Sequence, residues 1–319
     1  MNILYNEPLA PHTYFKLGGP ADQFVEARSE DELIEAVRYA IGEKIPYYVL
    51  GGGSNVLVTD KGFRGVVIKN KTNKIELKGF AGSVIKGKSL PAGRRVDLKE
   101  AIVRAESGVP ANLLIRYTLD QGLAGLENML GLPGSVGGAV YNNSHHLHSL
   151  FGDHIVEVEV LDKEGNRKKI AAHNMQFSYD YSILHKTKEV VLAATFQLTR
   201  GDRVALWGIA NAAVKRRATT QPLGSASSGC MFKNISLADA MRIGTPGTTR
   251  SVGYLIDKAG LKGLRVGGAY ISDRHANFVV NDGSATAKDV LDLIRAIKRK
   301  IKSKYGVSLE LEVMVIGEK

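Results

Sequence analysis

A single cysteine, Cys230, stands in a chain of 319 residues, so no internal disulfide can form and a reducing compartment is the natural setting. Long apolar runs are missing as well. No stretch approaches the ~20 residues a membrane-spanning helix needs, and Met1 to Phe15 has no basic start leading into an apolar core. The expectation is a cytoplasmic globular protein. Acidic side chains are in deficit: 43 Lys and Arg against 32 Asp and Glu leave a formal net charge of +11. That surplus favours anionic partners such as nucleic acid, acidic lipid, or substrates bearing phosphates and carboxylates. Much of it lies in Arg295 to Lys304. No aromatic residue interleaves that run as a stacking platform, so it reads as the solvated face of an amphipathic helix.

Glycine is plentiful, and two clusters of it matter. LGGGSN at Leu50 to Asn55 and GLPGSVGG at Gly131 to Gly138 each abut an apolar run. Backbone without Cβ can turn tightly and aim successive N–H groups at phosphate oxygens, so the pair suggests a diphosphate cradle and hence a dinucleotide cofactor. The spacing excludes an ordinary Rossmann fingerprint. Counting G-x-G-x-x-G from Gly51 puts Val56 at the last glycine, and counting from Gly131 puts Pro133 at the second.

The length suggests two or three domains. Ser29 followed by Glu32 is a capping-box pattern, and Leu33, Ala36, Val37, Ala40 and Ile41 continue it at helical spacing. Residues 45–68 read as strand, glycine loop, strand, turn, strand. Leu98, Ile102 and Ala105 are spaced for a helix that Gly108 and Pro110 interrupt, with further helical pieces before the second glycine loop. Residues 154–170 read as two strands joined at Glu164 to Asn166, residues 189–198 as another, and Gly201 to Arg217 as a helix and boundary. A helix from Ala287 to Tyr305 is closed by Gly306 and followed by a strand, VSLELEVMVIG, in which Glu310 and Glu312 share a face. The turn-rich segment Gln221 to Asn234, which carries the only thiol, does not read as a buried core strand.

The ordered motifs TYFKLGGPAD (Thr13 to Asp22), VLGGGSNVLVTDKGFRGVVI, GLENMLGLPGSVGGAVYNN, GCMFKN, LIDKAGLKG (Leu255 to Gly263), HANFVVN (His275 to Asn281) and GVSLELEV cover nearly the whole chain. In that order they resemble the UDP-N-acetylenolpyruvoylglucosamine reductases, the MurB family. The resemblance implies an α+β protein: an FAD-binding region of the vanillyl-alcohol-oxidase type in two subdomains, 1–70 and 71–202, then a C-terminal α/β substrate-binding domain, 203–319. It implies an FAD-dependent oxidoreductase in which NADPH reduces the flavin and hydride passes to the enolpyruvyl group of a UDP-linked amino sugar, giving UDP-N-acetylmuramate for peptidoglycan. The expected enzyme is a monomer without nucleic-acid or membrane partner and without a metal.

Hydride addition to the vinyl carbon demands a proton donor and charge stabilisers. The family's donor serine, in G-S-x-F-K-N, corresponds to Cys230 in Gly229 to Asn234. A thiol of ordinary pKa, ~8.5, is mostly protonated at neutral pH and keeps a proton to give. The family's strand glutamate corresponds to Glu312, which periodicity alone does not separate from Glu310. The resemblance assigns Gly51, Gly52, Gly53, Ser54 and Asn55 to the FAD diphosphate, with Pro133, Gly134, Ser135, Gly137 and Gly138 lining its other side. It assigns Lys215, Arg216, Arg217, Gln221, Lys233 and Asn234 to the UDP-sugar, with Lys262 helping at the diphosphate. His275 and Asn277 fall in a family motif without an assigned role.

Two departures stand out. Where the family has Y-R-x-S, with an arginine that stabilises developing negative charge, this chain has Tyr179, Asp180, Tyr181 and Ser182. An acid cannot do that work unless protonated or bridged by a cation. Arg250, Arg274 and Lys233 are candidates to replace the arginine; the alternative is a related flavin oxidoreductase with another substrate or impaired activity. The second departure is Asn143, Ser144, His145, His146, Leu147 and His148, where relatives carry small residues and glycines. The histidines are too crowded and lack a carboxylate in any recognised pattern, so the segment reads as a reshaped flavin-side loop rather than a metal site.

Overall fold

The computed structural model describes residues 1–81, 100–146 and 149–318. The chain divides into two compact units. The first comprises Met1–Asn2, Val25–Gly51 and Ile68–Arg216; the second comprises Ile3–Phe24, Gly52–Val67 and Arg217–Lys319.

The first unit is built on an antiparallel sheet in the order Arg167–Ala171, Ile155–Leu161, Val190–Arg200, Glu100–Glu106, Ile75–Ala81, with Leu123–Ala124 pairing with the end of Val190–Arg200. Val190–Arg200 is buried over most of its length, as its apolar run requires. The helices Ala111–Asp120 and Val136–Asn142 place Leu114, Ile115, Leu119, Val136 and Val140 in one core with Val103, Phe151 and Phe196. The helix Glu30–Gly42 starts where the capping pattern puts it. Ser29 Oγ accepts from Glu32 N at 3.2 Å, while the Glu32 carboxylate accepts from Arg28 N at 2.7 Å, one residue earlier than a full capping box. Arg104 ties that helix to the sheet by bonding both Glu30 and, at 2.6 Å, Glu159.

One expectation fails here. Ile102 and Ala105 do not lie on a helix but in the strand Glu100–Glu106, where Ala101, Val103 and Ala105 are fully buried and Ile102 and Arg104 are not. Both neighbouring strands pair with it, and the period of two that they impose overrides the local helical spacing. Leu98 lies outside the described residues. Glycine breaks the next segment as expected: at Gly108 a Cβ would strike Thr72 backbone and the Asn70 side chain.

In the second unit Leu4–Pro8 pairs antiparallel with the start of Pro20–Ala27, from Leu4↔Phe24 to Pro8↔Pro20. Val56–Val58 pairs in parallel with Met314–Ile316. Arg265–Val266, Ala269–Ile271 and Val279–Asn281 form a small antiparallel sheet. The helix Ala287–Tyr305 is capped at Thr286 and ends at Gly306, whose φ of 70° suits glycine. The Asp60 carboxylate accepts from Ala287 N and Lys288 N at 2.7 and 2.8 Å, putting a negative charge on the helix's positive end. Val290, Leu293, Ile294, Ile297 and Ile301 pack with Phe15, Leu57, Phe232 and Ile271. The final strand is shorter than its alternation predicts. Regular pairing covers only Met314–Ile316, and Leu311 makes a single bridge to Phe232.

Phe151 and Phe196 meet edge to face at 5.3 Å and are both fully buried. Phe196→Ala should therefore cost about 3–5 kcal/mol, read as a lower urea midpoint by circular dichroism.

Candidate active site

The first glycine loop follows the strand Tyr47–Leu50. Lys69 Nζ donates to Gly51 O at 2.7 Å and Tyr14 N donates to Gly53 O at 2.9 Å. A peptide is planar and trans, so holding each carbonyl from one side directs the following N–H to the other. The N–H groups of Gly52, Gly53, Ser54 and Asn55 donate to no group among the described residues. Successive free N–H donors of this kind fit an anionic diphosphate. Glycine is required by crowding as well: a Cβ at Gly51 would strike Ser135 Oγ, and at Gly53, with φ of 71°, it would strike His12 O.

The second loop spends more of its donors internally. Val136 N, Gly137 N and Gly138 N donate to Val109 O, Ser107 O and Ser135 Oγ at 2.8, 2.8 and 3.4 Å. Pro133 has no N–H. Gly134 N and Ser135 N donate to no described group. Gly137 is small for a packing reason, because its Cα side faces Ser107 at a distance no side chain allows.

In the second unit the thiol-bearing segment is pinned at several points. Ser228 Oγ donates to Val56 O at 2.9 Å. Met231 N donates to Asn277 O at 2.8 Å, and the buried Asn277 side chain brackets Phe232, accepting from its N at 3.1 Å and donating to its O at 2.8 Å. Met231 and Phe232 are fully buried although the segment forms no regular strand. Glu312 N donates to Met231 O at 2.9 Å, and Asn55 Nδ2 donates to Glu312 O at 3.2 Å. Half-buried Cys230 and half-buried Glu312 thus stand on adjoining backbones, and Glu310 is exposed. That exposure separates the two glutamates that alternation left equivalent.

Arg217 is 7% exposed. Burial lowers its pKa, and the nearby Cys230 sulfur works in the opposite direction. Lys215 and Arg216 are exposed and belong to the first unit. Gln221 and Lys233 are half-buried, Asn234 is exposed, and Lys233 N donates to Glu310 O at 3.0 Å. Lys262 pairs with Asp257 at 3.0 Å. Of the candidate replacements for the arginine, Arg274 donates to Ala218 O and Gln221 O at 3.2 and 3.4 Å, and Arg250 Nε donates to Ile235 O at 2.7 Å. His275 Nδ1 accepts from Asn277 N at 3.3 Å, and burial pushes its pKa below the ordinary value. Among the described residues no three metal-ligating side chains gather; His148 lies outside them.

Sequence reasoning missed Lys69 and left Asn277 without a role. Lys69 carried no motif signal, while Asn277 sat inside a quoted motif and its structural use depends on a distant loop.

A family model of the UDP-N-acetylenolpyruvoylglucosamine reductase C-terminal domain matches residues 221–316, and an FAD binding domain model matches residues 21–171. A UDP-N-acetylenolpyruvoylglucosamine reductase of Caldanaerobacter subterraneus subsp. tengcongensis is 38% identical over 99% of this chain and 94% of its own length. The chain belongs to the UDP-N-acetylenolpyruvoylglucosamine reductase family. The Clostridium novyi reductase of the same name is also 38% identical, over 96% of this chain and 90% of its own. The crystal structure of the Thermus caldophilus family member superposes with a TM-score of 0.74 at 32% identity, covering 98% of both chains. The protein is therefore a flavin oxidoreductase with an FAD-binding domain.

Lys69→Met should leave the Gly51 carbonyl without its charged donor and raise the dissociation constant for FAD about tenfold, in line with ~1.5 kcal/mol for a bond to a charged group. Quenching of FAD fluorescence on titration into apoprotein measures it.

Proposed function

We propose that this protein reduces UDP-N-acetylglucosamine enolpyruvate to UDP-N-acetylmuramate with NADPH as reductant, in peptidoglycan precursor synthesis. The observation that carries the reading is kinship over essentially the full length with reductases of that name, joined to an FAD-binding domain. The bound FAD would supply hydride-transfer chemistry between NADPH and the enolpyruvyl group. The balance is simple. One hydride joins the terminal vinyl carbon, one proton joins the carbon bearing the carboxylate and ether oxygen, the double bond is lost, and NADPH becomes NADP⁺.

Gly51 and the N–H donors of Gly52, Gly53, Ser54 and Asn55 would hold the cofactor diphosphate, with Pro133, Gly134, Ser135, Gly137 and Gly138 as its other contacts. Gly134 and Ser135 supply the donors in that second group, and Gly137 supplies the close packing. The Cys230 thiol gives the proton to the substrate carbon and is restored by solvent. Glu312 stands beside it to organise the charge that develops. Arg217, Gln221, Lys233 and Asn234 bind the UDP-sugar, together with Lys215, Arg216 and Lys262. Arg217 is the anchor because a buried guanidinium meets an anion in a low dielectric with little competition from water. The functional segments are 1–70 and 71–202 for FAD and 203–319 for substrate, in a monomeric cytoplasmic enzyme.

Cys230→Ala should slow reoxidation of the NADPH-reduced flavin by the enolpyruvyl sugar about 10²- to 10⁴-fold, the usual worth of a positioned proton donor. Cys230→Ser should recover most of that rate. Stopped-flow absorbance of the flavin reads both, and an alanine variant as fast as wild type sinks the assignment.

A further inference from the structure

Every polar group of Asn277 is spent, and all of its partners lie in the second unit. Its N–H donates to His275 Nδ1 at 3.3 Å, and its carbonyl accepts from Met231 N at 2.8 Å. Its side-chain Oδ1 accepts from Phe232 N at 3.1 Å, and Nδ2 donates to Phe232 O at 2.8 Å. The residue is 4% exposed, so water is a poor substitute for any of these bonds.

The side-chain amide does for Phe232 what a neighbouring strand would do. In an antiparallel ladder a hydrogen-bonded pair exchanges both of its N–H···O bonds; here one side chain supplies both partners. Backbone holds the rest of the segment. Cys230 bridges to Phe278 and Phe232 to Leu311, while Glu312 N donates to Met231 O at 2.9 Å and Lys233 N to Glu310 O at 3.0 Å. Gly229, with φ of 79°, lets the chain turn into this rung just before the thiol. The amide itself stands on a firm base. Phe278 N donates to His275 O at 2.9 Å, Ser272 Oγ accepts from Arg274 N and His275 N at 3.2 and 3.3 Å, and the strand Val279–Asn281 follows at once, paired with Ala269–Ile271.

Something must fix the register of this short segment, because a slip of one residue turns every side chain to the other face. Burial does not fix it: Met231 and Phe232 are adjacent, apolar and both buried, so the core accepts either in the other's place. The amide of Asn277 does, since it fits the N–H and carbonyl of one residue only. The task needs a donor and an acceptor side by side, which asparagine has and aspartate, when ionised, lacks. We propose that Asn277 is a positioning residue whose side-chain amide sets the register of residues 229–234 and so aims the Cys230 thiol for proton delivery to the substrate carbon. The proposal rests on the reaction above, in which Cys230 gives the proton.

Two measurements on the FAD-loaded protein test it. In stopped flow, Asn277→Asp keeps the acceptor for Phe232 N and loses the donor to Phe232 O. It should slow flavin reoxidation by the enolpyruvyl sugar about 100-fold, the usual cost of a ~1 Å misplacement, and Asn277→Ala should be slower still. In a Cys230→Ala background Asn277→Asp should add nothing, because the group it aims is gone. The second measurement needs no turnover. Cys230 is the only cysteine, so alkylation by iodoacetamide, followed by mass spectrometry, reads its access to solvent alone; the rate should rise in both Asn277 variants. Asn277→Asp reoxidising at the wild-type rate, an equal 100-fold loss in the Cys230→Ala background, or wild-type alkylation in both variants overturns the inference while leaving the reaction standing. A wild-type protein whose reduced flavin ignores the enolpyruvyl sugar overturns both.

Discussion

The parallel register that sets Val56 against Met314 and Val58 against Ile316 is the constraint on which the second unit's site depends. It brings the end of the first glycine loop to the C-terminal strand, so that Asn55 can reach the carbonyl of Glu312. The same strand offers Val56 O to Ser228, which fixes the thiol segment from its other side. Remove that pairing and the glycine loop, Cys230 and Glu312 lose their common frame. Parallel strands need a long connection, and here nearly the whole chain supplies it.

Hydrogen bonding, more than apolar packing, decides where the reactive groups point. Asn277 uses both ends of its amide on the backbone of Phe232, and a buried amide satisfied twice is costly to disturb. Carbonyls are held in the glycine loops so that N–H groups are left over. The apolar cores beneath, Phe232 and Ile297 in one unit and Phe151 and Phe196 in the other, make those bonds rigid by excluding water from them.

Charge is arranged with the same economy. Arg217 is buried near the Cys230 sulfur, while Lys262 pairs with Asp257. Most of the basic surplus, including Arg299, Lys300, Lys302 and Lys304 on the last helix, is exposed. The surplus therefore says little about the site, and Arg217, the one lysine or arginine buried among the described residues, says more.

Local rules made much of this protein readable from sequence. The capping pattern at Ser29, the helix Ala287–Tyr305 with its terminal glycine, and the hairpin turning at Glu164 to Asn166 each depend on residues a few positions apart. The glycine loops and the lone thiol were visible for the same reason. The family's motifs then assigned them roles. Tertiary structure decided the rest, because the deciding partners are remote: Lys69 and Gly51 are 18 residues apart, Asn277 and Phe232 are 45, and Asn55 and Glu312 are 257. Ile102 became part of a strand because two neighbouring strands demanded it. His145 found Asp180 across a chain separation that no spacing rule spans. Sequence determines what each residue is able to donate, accept or bury; only the folded chain determines which atom stands within 3 Å of it.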